Sequence, residues 1–176
     1  MSEPTSPEFA AGSASADPQS PPVPELTPLP AGSILVGHDG SSDAQRALAQ
    51  AFELADKLTA PLVIVRLWTV HTAPAGTLVD HGFVSSFPEV SARVRDLLVT
   101  ETRALALRHP SVTVDYRAMH GQAAQTLIAL SPEARMLVVG SRGRGGFPKL
   151  LLGSVSEQCV RHAGCPVLVV RSTRTR

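Results

Sequence analysis

The fold of this chain is decided by one stretch, residues 137–155, which reads LVVGSRGRGGFPKLLLGSV. Its first four residues are an apolar run that ends in Gly140, which predicts a strand buried on both faces. A loop rich in glycine and arginine follows, and Gly153-Ser154 closes it directly before a predicted helix. A buried strand, a loop and a helix in this order are typical of an α/β protein.

Three glycines in this stretch have a defined spacing. Gly140, Gly143 and Gly153 form the pattern G-x2-G-x9-G, and Ser154 follows the last of them. Glycine lets a ligand approach main-chain N–H groups closely, and a helix N-terminus adds unpaired donors and a partial positive charge. The pattern therefore predicts an anion site that favours the phosphates of a nucleotide. The alternative is a glycine-rich surface turn that binds no ligand.

The composition is that of a soluble globular protein. The chain has 176 residues, of which 43% are hydrophobic, enough for one domain with a core. We find no apolar run near the roughly 20 residues of a membrane helix, and no signal-peptide core. Cys159 and Cys165 lack metal-site spacing, so free thiols in a reducing cytoplasm are expected, with a local disulfide as the alternative.

The N-terminal segment differs from the rest of the chain. Residues 1–31 hold eight of the 15 prolines, four acidic residues and no Lys or Arg. Such a segment buries too little apolar surface to offset its ordering entropy, so we predict a disordered tail. The domain is predicted to span residues 32–171, with a short basic tail at 172–176. Its mildly basic charge suits a small anion and lacks the dense basic stripe of a nucleic-acid binder.

Apolar strands alternate with amphipathic helices along the domain. The predicted strands cover residues 33–38, 62–68, 112–119, 136–139 and 167–170. Capping-box patterns place helix starts at Ser42, Ser86 and Ser154, and a further helix is predicted after Gly121. Residues 69–85 are predicted to be a long connection. This alternation predicts a doubly wound α/β fold with a five-stranded parallel sheet and helices on both faces.

A second candidate residue lies at the end of the first predicted strand. Asp39 and Gly140 both fall at strand carboxyl ends, where such sheets bind ligands if the strand order reverses between them. Asp39 is therefore a candidate ligand residue, with a turn-forming role in Asp39-Gly40 as the alternative. His38 precedes it and should point to the opposite face, so we expect a structural histidine there. His120, at another strand end, is a weaker candidate for the border of the site.

The glycine spacing resembles the nucleotide loop of the universal stress protein family, G-x2-G-x9-G-[ST]. The resemblance extends from the V-G-x-D-G-S opening at 36–41 to the closing P-V-L-V-V strand at 166–170. It implies an adenine nucleotide alpha hydrolase-like fold with strand order 3-2-1-4-5. It also implies a cytoplasmic stress-response module that binds ATP together with Mg²⁺. The loop departs from the usual pattern in its bulk at Phe147-Pro148-Lys149, and Pro148 removes one N–H donor.

The resemblance also implies which residues hold the nucleotide. Asp39 would contact the ribose or the metal–phosphate region, and the main chain at Leu67 would read the adenine edge, with a register uncertainty of one residue. Arg142 could pair with phosphate oxygens or remain a solvated charge, and the same holds for Arg144. The full predicted set is Asp39, Leu67, Gly140, Arg142, Gly143, Gly153, Ser154, Val155 and Ser156.

Several classes of enzyme site are missing from the sequence. There is no G-x-G-x-x-G after the first strand, no P-loop pattern, no nucleophile elbow and no zinc-spaced histidine pair. We therefore predict neither catalytic residues nor metal ligands. Two alternatives stay open: a weak ATPase or autophosphorylating enzyme, and a chaperone-like scaffold whose site is vestigial or binds cyclic AMP.

The last predicted strand suggests how the chain associates. Residues Val167–Val170 are apolar throughout, yet the topology places them at a sheet edge with unpaired N–H and C=O groups. Two copies could pair these edges about a two-fold axis. The resemblance implies the same homodimer.

Overall fold

The computed structural model describes residues 26–80, 83–145 and 151–171. The described ranges contain one five-stranded sheet, and all of its strands run parallel. Its strands are β1 (Ile34–Gly37), β2 (Leu62–Trp68), β5 (Val114–His120), β6 (Met136–Gly140) and β7 (Val167–Val170). Two short strands, β3 (Val79–Asp80) and β4 (Phe83–Val84), form a separate antiparallel hairpin.

The strand order of the main sheet is β5-β2-β1-β6-β7. Counted along the five strands alone, this is the predicted order 3-2-1-4-5. The predicted doubly wound α/β fold is thereby confirmed, and strand β5, in which apolar and polar residues alternate, lies at a sheet edge. The helices are α1 (Ser42–Leu58), α2 (Phe87–Arg108), α3 (Ala123–Leu130) and α4 (Ser154–His162).

Helices cover both faces of the sheet, and the strands bury apolar side chains on each. On the face covered by α1 and α2, Val36 and Ile64 pack against Phe52 and Leu98. On the opposite face, covered by α3 and α4, apolar residues from the same strands pack against those helices; they include Leu35, Val65, Leu137, Leu127 and Cys159. Because side chains alternate along a strand, burial on both faces explains the nearly unbroken apolar runs.

Helices α1 and α4 begin at the predicted residues, Ser42 and Ser154, but in both the residue that caps the helix is the one before it. The Ser41 hydroxyl, not that of Ser42, caps α1 by accepting the Ala44 N–H at 3.2 Å. Helix α4 is capped by Gly153, and Ser154 is its first helical residue, with no side-chain cap. At α2 the predicted capping box is present, since the Glu89 carboxylate accepts the Ser86 N–H at 2.8 Å. No described helix combines the length and apolar character needed to cross a membrane.

The connection predicted over residues 69–85 contains the β3–β4 hairpin. Val79 pairs with Val84 across it, and both valines are exposed. Two residues per strand are too few to give a periodic signal, which is why the sequence did not predict these strands.

The end of the predicted N-terminal tail packs on the domain. Leu29 is buried, and its N–H donates to the Glu133 carboxylate at 2.7 Å. The Arg117 guanidinium donates to the carbonyl oxygens of Thr27 and Pro28, the latter at 2.9 Å. Contacts with the domain therefore begin at least five residues before residue 32, although the tail boundary itself stays a prediction. We call residues 26–30 the N-terminal strap.

The strap should contribute measurably to stability. Leu29→Ala removes a buried leucine side chain, so we expect the free energy of unfolding to fall by about 2 kcal/mol. For a domain of this size, that is a loss of roughly 4–8 °C in the midpoint of thermal unfolding. Deletion of residues 1–25 is the matched control, because it leaves every strap contact in place. Equal midpoints for Leu29→Ala and the intact chain would show that the strap is not part of the folded domain.

Candidate functional site

A cleft of about 610 Å³ opens at the carboxyl ends of the central strands, where the strand order reverses between β1 and β6. It is the location that the topology predicts for a ligand. All nine sequence-predicted site residues line it: Asp39, Leu67, Gly140, Arg142, Gly143, Gly153, Ser154, Val155 and Ser156. Their convergence follows from the fold, while their contact with a ligand stays a prediction.

Asp39 holds the glycine loop against the end of β1. One carboxylate oxygen accepts the Ser41 N–H at 2.9 Å, and the other accepts the Arg144 N–H at 3.1 Å. A Cβ atom on Gly143 would lie 2.6 Å from that second oxygen, closer than real contacts allow. A side chain at position 143 would therefore force the Asp39 carboxylate to shift, whether or not a ligand is bound. The predicted turn role of Asp39 and its position in the cleft coexist.

Gly140 has a packing role that the sequence pattern did not indicate. A Cβ atom at this position would lie 2.7 Å from the carbonyl carbon of Asp43 and 2.8 Å from the nitrogen of Ala44. Both are backbone atoms of the first turn of α1, which cannot move aside as a flexible side chain could. Gly140 thus lets α1 begin directly against the end of β6.

Ser141, the residue after β6, joins three parts of the chain. It is buried, and its N–H donates to the Val170 carbonyl at 2.8 Å. Its own carbonyl accepts the Gly153 N–H at 2.7 Å and the Ser156 hydroxyl at 2.9 Å, which closes the base of the glycine loop. Its hydroxyl donates to the Asp43 carboxylate at 2.8 Å. We call this set of bonds the Ser141 junction.

The Ser141 junction changes which main-chain groups face the cleft. The Gly153 N–H, a predicted phosphate donor, is already bonded to Ser141. Glu157 is the first residue of α4 whose N–H group donates to a carbonyl oxygen of the same helix. It bonds the Gly153 carbonyl at 2.9 Å. The N–H groups of Ser154, Val155 and Ser156 precede it, so they have no acceptor within the helix. These three donors, at the positive end of the helix dipole, line the cleft.

The two loop arginines occupy different environments. The Nε atom of Arg142 lies 3.6 Å from the Asp43 carboxylate, and the side chain is 30% exposed. The guanidinium of Arg144 lies over Gly40, where an added Cβ atom would be 2.8 Å from it. Gly40 has a φ of 83°, which glycine adopts readily, so the turn after Asp39 also makes room for Arg144.

A buried polar network lies behind Asp39, on the face covered by α1 and α2. The Arg66 guanidinium contacts Nδ1 of His38 at 2.7 Å and pairs with the Glu101 carboxylate at 2.5 Å. Burial first, and the charge of Arg66 second, lower the pKa of His38 to about 4. His38 is therefore neutral near pH 7 and fixed by Arg66. Its Nε2 atom has no hydrogen-bond partner among the described residues.

The floor and one wall of the cleft are apolar. Leu67, the next-to-last residue of β2, packs in the same apolar cluster as Val65, Leu127 and Val139, and all four line the cleft. The wall contains Trp68, whose indole N–H donates to the Ser91 hydroxyl at 3.0 Å. Trp68 packs edge-on against two rings that stack on each other, those of Phe87 and His120. His120 supports the wall through this contact.

Sequence reasoning missed Asp43, Ser141 and Trp68. A signal for Asp43 was available, because it stands one and two helical turns before Ala47 and Ala51 on the buried stripe of α1. An acid on a buried stripe needs partners, and here they are Ser141, Arg46 and Arg142. Ser141 and Trp68 gave no comparable signal, since their roles depend on residues that are distant in sequence.

The glycines of the loop should separate into two kinds when replaced. Gly140→Ala forces a clash with the backbone of α1, so we expect a loss of about 2–4 kcal/mol in the free energy of unfolding. Gly153→Ala should cost well under 1 kcal/mol, because its nearest neighbours would lie at an ordinary 3.5 Å. Urea denaturation of the two variants checks this. Similar losses for both would contradict the assignment of Gly140 to packing.

Comparison with known sequences places the chain in a recognised group. The family model described as the universal stress protein family matches residues 31–171. Universal stress protein Rv2623 of Mycobacterium tuberculosis is 33% identical over 142 residues, which are 81% of this chain and 46% of that protein. A universal stress protein of Mycolicibacterium smegmatis is 35% identical over 138 residues, 78% of this chain and 45% of that protein. The chain thus matches less than half the length of these relatives.

Solved structures share the fold at lower identity. A universal stress protein in complex with cAMP has a TM-score of 0.59 and 24% identity, over 81% of this chain and 98% of that chain. The universal stress protein from Archaeoglobus fulgidus in complex with dAMP has a TM-score of 0.52 and 17% identity, over 78% and 96% respectively. At these identities the likeness extends to the fold alone.

Proposed function

The chain belongs to the universal stress protein family, and from this premise we propose that it binds an adenine nucleotide, ATP with Mg²⁺, and acts as a ligand-dependent stress-response module. One observation carries the proposal. N–H groups at the start of α4 that have no acceptor within the helix, and an apolar lining, meet in one cleft at the switch point of the sheet. A nucleotide has the matching chemistry, with an anionic end and a flat apolar base.

The proposed placement follows the chemistry of the lining. The phosphate oxygens accept hydrogen bonds from the N–H groups of Ser154, Val155 and Ser156 at the N-terminus of α4. The adenine lies on the apolar floor beside Leu67, whose main chain lies at the carboxyl end of β2. Asp39 also lines the cleft and would contact either the ribose or the metal–phosphate region. Two structural neighbours are universal stress proteins in complex with cAMP and with dAMP, and both ligands consist of an adenine, a sugar and a phosphate.

Magnesium would enter with the nucleotide. Within residues 26–80, 83–145 and 151–171, no three His, Cys, Asp or Glu side chains are grouped to hold a metal. Mg²⁺ commonly keeps several waters and binds through substrate phosphates with one or two carboxylates. Asp39 is the carboxylate in the cleft that fits this role. We therefore expect Mg²⁺ to strengthen ATP binding and to bind weakly without it.

We favour binding over turnover because no well-placed base is found among the described residues that line the cleft. Both oxygens of Asp39 already accept loop or turn N–H groups. His38 has a pKa lowered to about 4 by burial and by Arg66, and its Nδ1 atom faces Arg66 rather than the cleft. Slow ATP hydrolysis or autophosphorylation is the second candidate, and a scaffold with a vestigial site is the third. A cytoplasmic location is part of the proposal.

Calorimetry with ATP and Mg²⁺ tests the proposed ligand. We expect saturable binding by the intact chain and about a tenfold weaker affinity for Gly153→Ala. The added methyl group would lie 3.8 Å from the Gly143 nitrogen and obstruct phosphate approach, yet it fits the fold. Gly145→Ala is the matched control, since an added methyl group there would meet no atom of the described residues within 4 Å. Failure of the intact chain to bind ATP, AMP and cyclic AMP would refute the proposal and favour the scaffold.

We also propose that the chain forms a homodimer through β7. This strand pairs with β6 on one side only, so its outer N–H and C=O groups lie at a sheet edge. Its four residues are half-buried: Val167 and Val169 pack toward α3 and α4, and Leu168 and Val170 toward α1 and α2. A second copy of β7 would pair with the edge and cover these side chains further.

Substitution in β7 tests the dimer. Val169→Lys should shift the chain from dimer to monomer in sedimentation at micromolar concentration, because it places a charge in the paired edge. Val160→Lys is the matched control, since Val160 lies on α4 and is already 51% exposed. A monomeric parent chain would contradict the proposal. A dimer that survives Val169→Lys would place the interface elsewhere.

A further inference from the structure

A small polar recess adjoins the cleft, and one arginine separates the two. The recess has a volume of about 120 Å³ and is lined by Ser41, Ser42, Asp43, Arg142 and Gly143. Arg142 and Gly143 also line the cleft. The cationic side chain of Arg142 therefore stands at the boundary, where it can serve either space.

Asp43 holds Arg142 on the recess side. The Asp43 side chain is only 5% exposed, and its Oδ2 atom lies 3.6 Å from Nε of Arg142. Burial alone would raise the pKa of Asp43. The Ser141 hydrogen bond and the charges of Arg142 and Arg46 outweigh burial and lower it, so the carboxylate is ionised at neutral pH. Asp43 does not line the cleft, so it acts on a ligand there through Arg142.

The two functions of the Asp43 carboxylate can be separated. Its Oδ2 atom accepts the Ser141 hydroxyl at 2.8 Å and so anchors the Ser141 junction. A neutral amide oxygen can accept the same hydrogen bond, but it cannot balance a guanidinium charge. The ion pair with Arg142 is long, and Arg142 is 30% exposed. Such a pair is weak, because water screens it, so a phosphate group in the cleft can compete for Arg142.

We propose that Asp43 is a specificity-determining residue, which sets how strongly the cleft responds to the number of phosphate charges by restraining Arg142 on the recess side. The inference rests on the proposed nucleotide function. In the intact chain, the positive charge offered to the phosphates is reduced by this pairing, and the main-chain donors of α4 do most of the binding. Neutralising Asp43 removes this restraint on Arg142 and favours ATP over AMP.

The ratio of AMP to ATP dissociation constants tests this proposal. We expect Asp43→Asn to raise that ratio about fivefold in calorimetry without metal, because a guanidinium gains more from three phosphates than from one. In an Arg142→Gln background, the same Asp43→Asn change should alter the ratio by less than about twofold. A purely structural role for Asp43 would weaken both nucleotides alike and leave the ratio unchanged.

The control is Asp56→Asn, which changes the net charge equally. Asp56 lies at the opposite end of α1, where it also accepts a serine hydroxyl, that of Ser111, and pairs with a histidine. For Asp56→Asn, the ratio of AMP to ATP dissociation constants should match that of the intact chain. Should Asp43→Asn fail to fold, Arg142→Gln alone remains informative, because a restrained arginine predicts a ratio within about twofold of the parent.

The outcomes separate the inference from the function on which it rests. If the intact chain binds neither ATP nor AMP, the proposed function fails. If it binds both, an unchanged ratio in Asp43→Asn overturns the inference alone. If Asp43→Asn raises the ratio equally in the parent chain and in the Arg142→Gln background, the inference is also overturned, because Asp43 would then act on the ligand directly. A fivefold rise that requires Arg142 supports it.

Discussion

The bonds at Ser141 are the constraint on which the rest of the site depends. Four hydrogen bonds converge on this one buried residue, and they come from β7, from the two residues at the start of α4, and from α1. A buried polar group left without a partner costs free energy comparable to a hydrogen bond, so these bonds cannot be exchanged freely for water. The two ends of the glycine loop are therefore fixed, and the first residues of α4 line the cleft.

This constraint explains why acids lie close to a site proposed for an anion. Asp39 accepts loop and turn N–H groups, and Asp43 accepts the Ser141 hydroxyl. Both carboxylates hold the loop in place, and the charge of Asp43 is balanced by Arg142 and Arg46. The donors offered to the cleft are then mainly backbone N–H groups at the start of a helix. Such dipoles are fixed by the fold, so they need little rearrangement when a ligand binds.

Much of the fold could be predicted because it depends on local patterns. Apolar runs identified the five main strands, and their alternation with helices fixed the layered architecture; the strand order came from the family resemblance. The predictions failed where a tertiary contact decides the outcome. The N-terminal strap is held by Arg117 and Glu133, which are separated from it by about 90 and 104 residues in sequence. No local pattern encodes such partners.

The candidate site, like the fold, could be predicted only in part from the sequence. The glycine spacing and the Asp39 position were visible in the sequence, and the fold brings all of these residues to one cleft. Their separate physical roles were not visible. Gly140 packs against the backbone of α1, Gly143 approaches Asp39, and the Gly153 N–H bonds Ser141. The three glycines belong to one spacing pattern but have three different structural roles, and only the three-dimensional structure distinguishes these roles.

Trp68 gives the chain a built-in optical reporter. It is the only tryptophan in the sequence, it is 1% exposed, and it lines the cleft in contact with Phe87 and His120. The indole emission of the chain therefore comes from one ring at the wall of the candidate site. A change in its colour or intensity during a titration reports on that wall directly, without a label or a substitution. The same ring also distinguishes loosening of the cleft from unfolding of the whole domain.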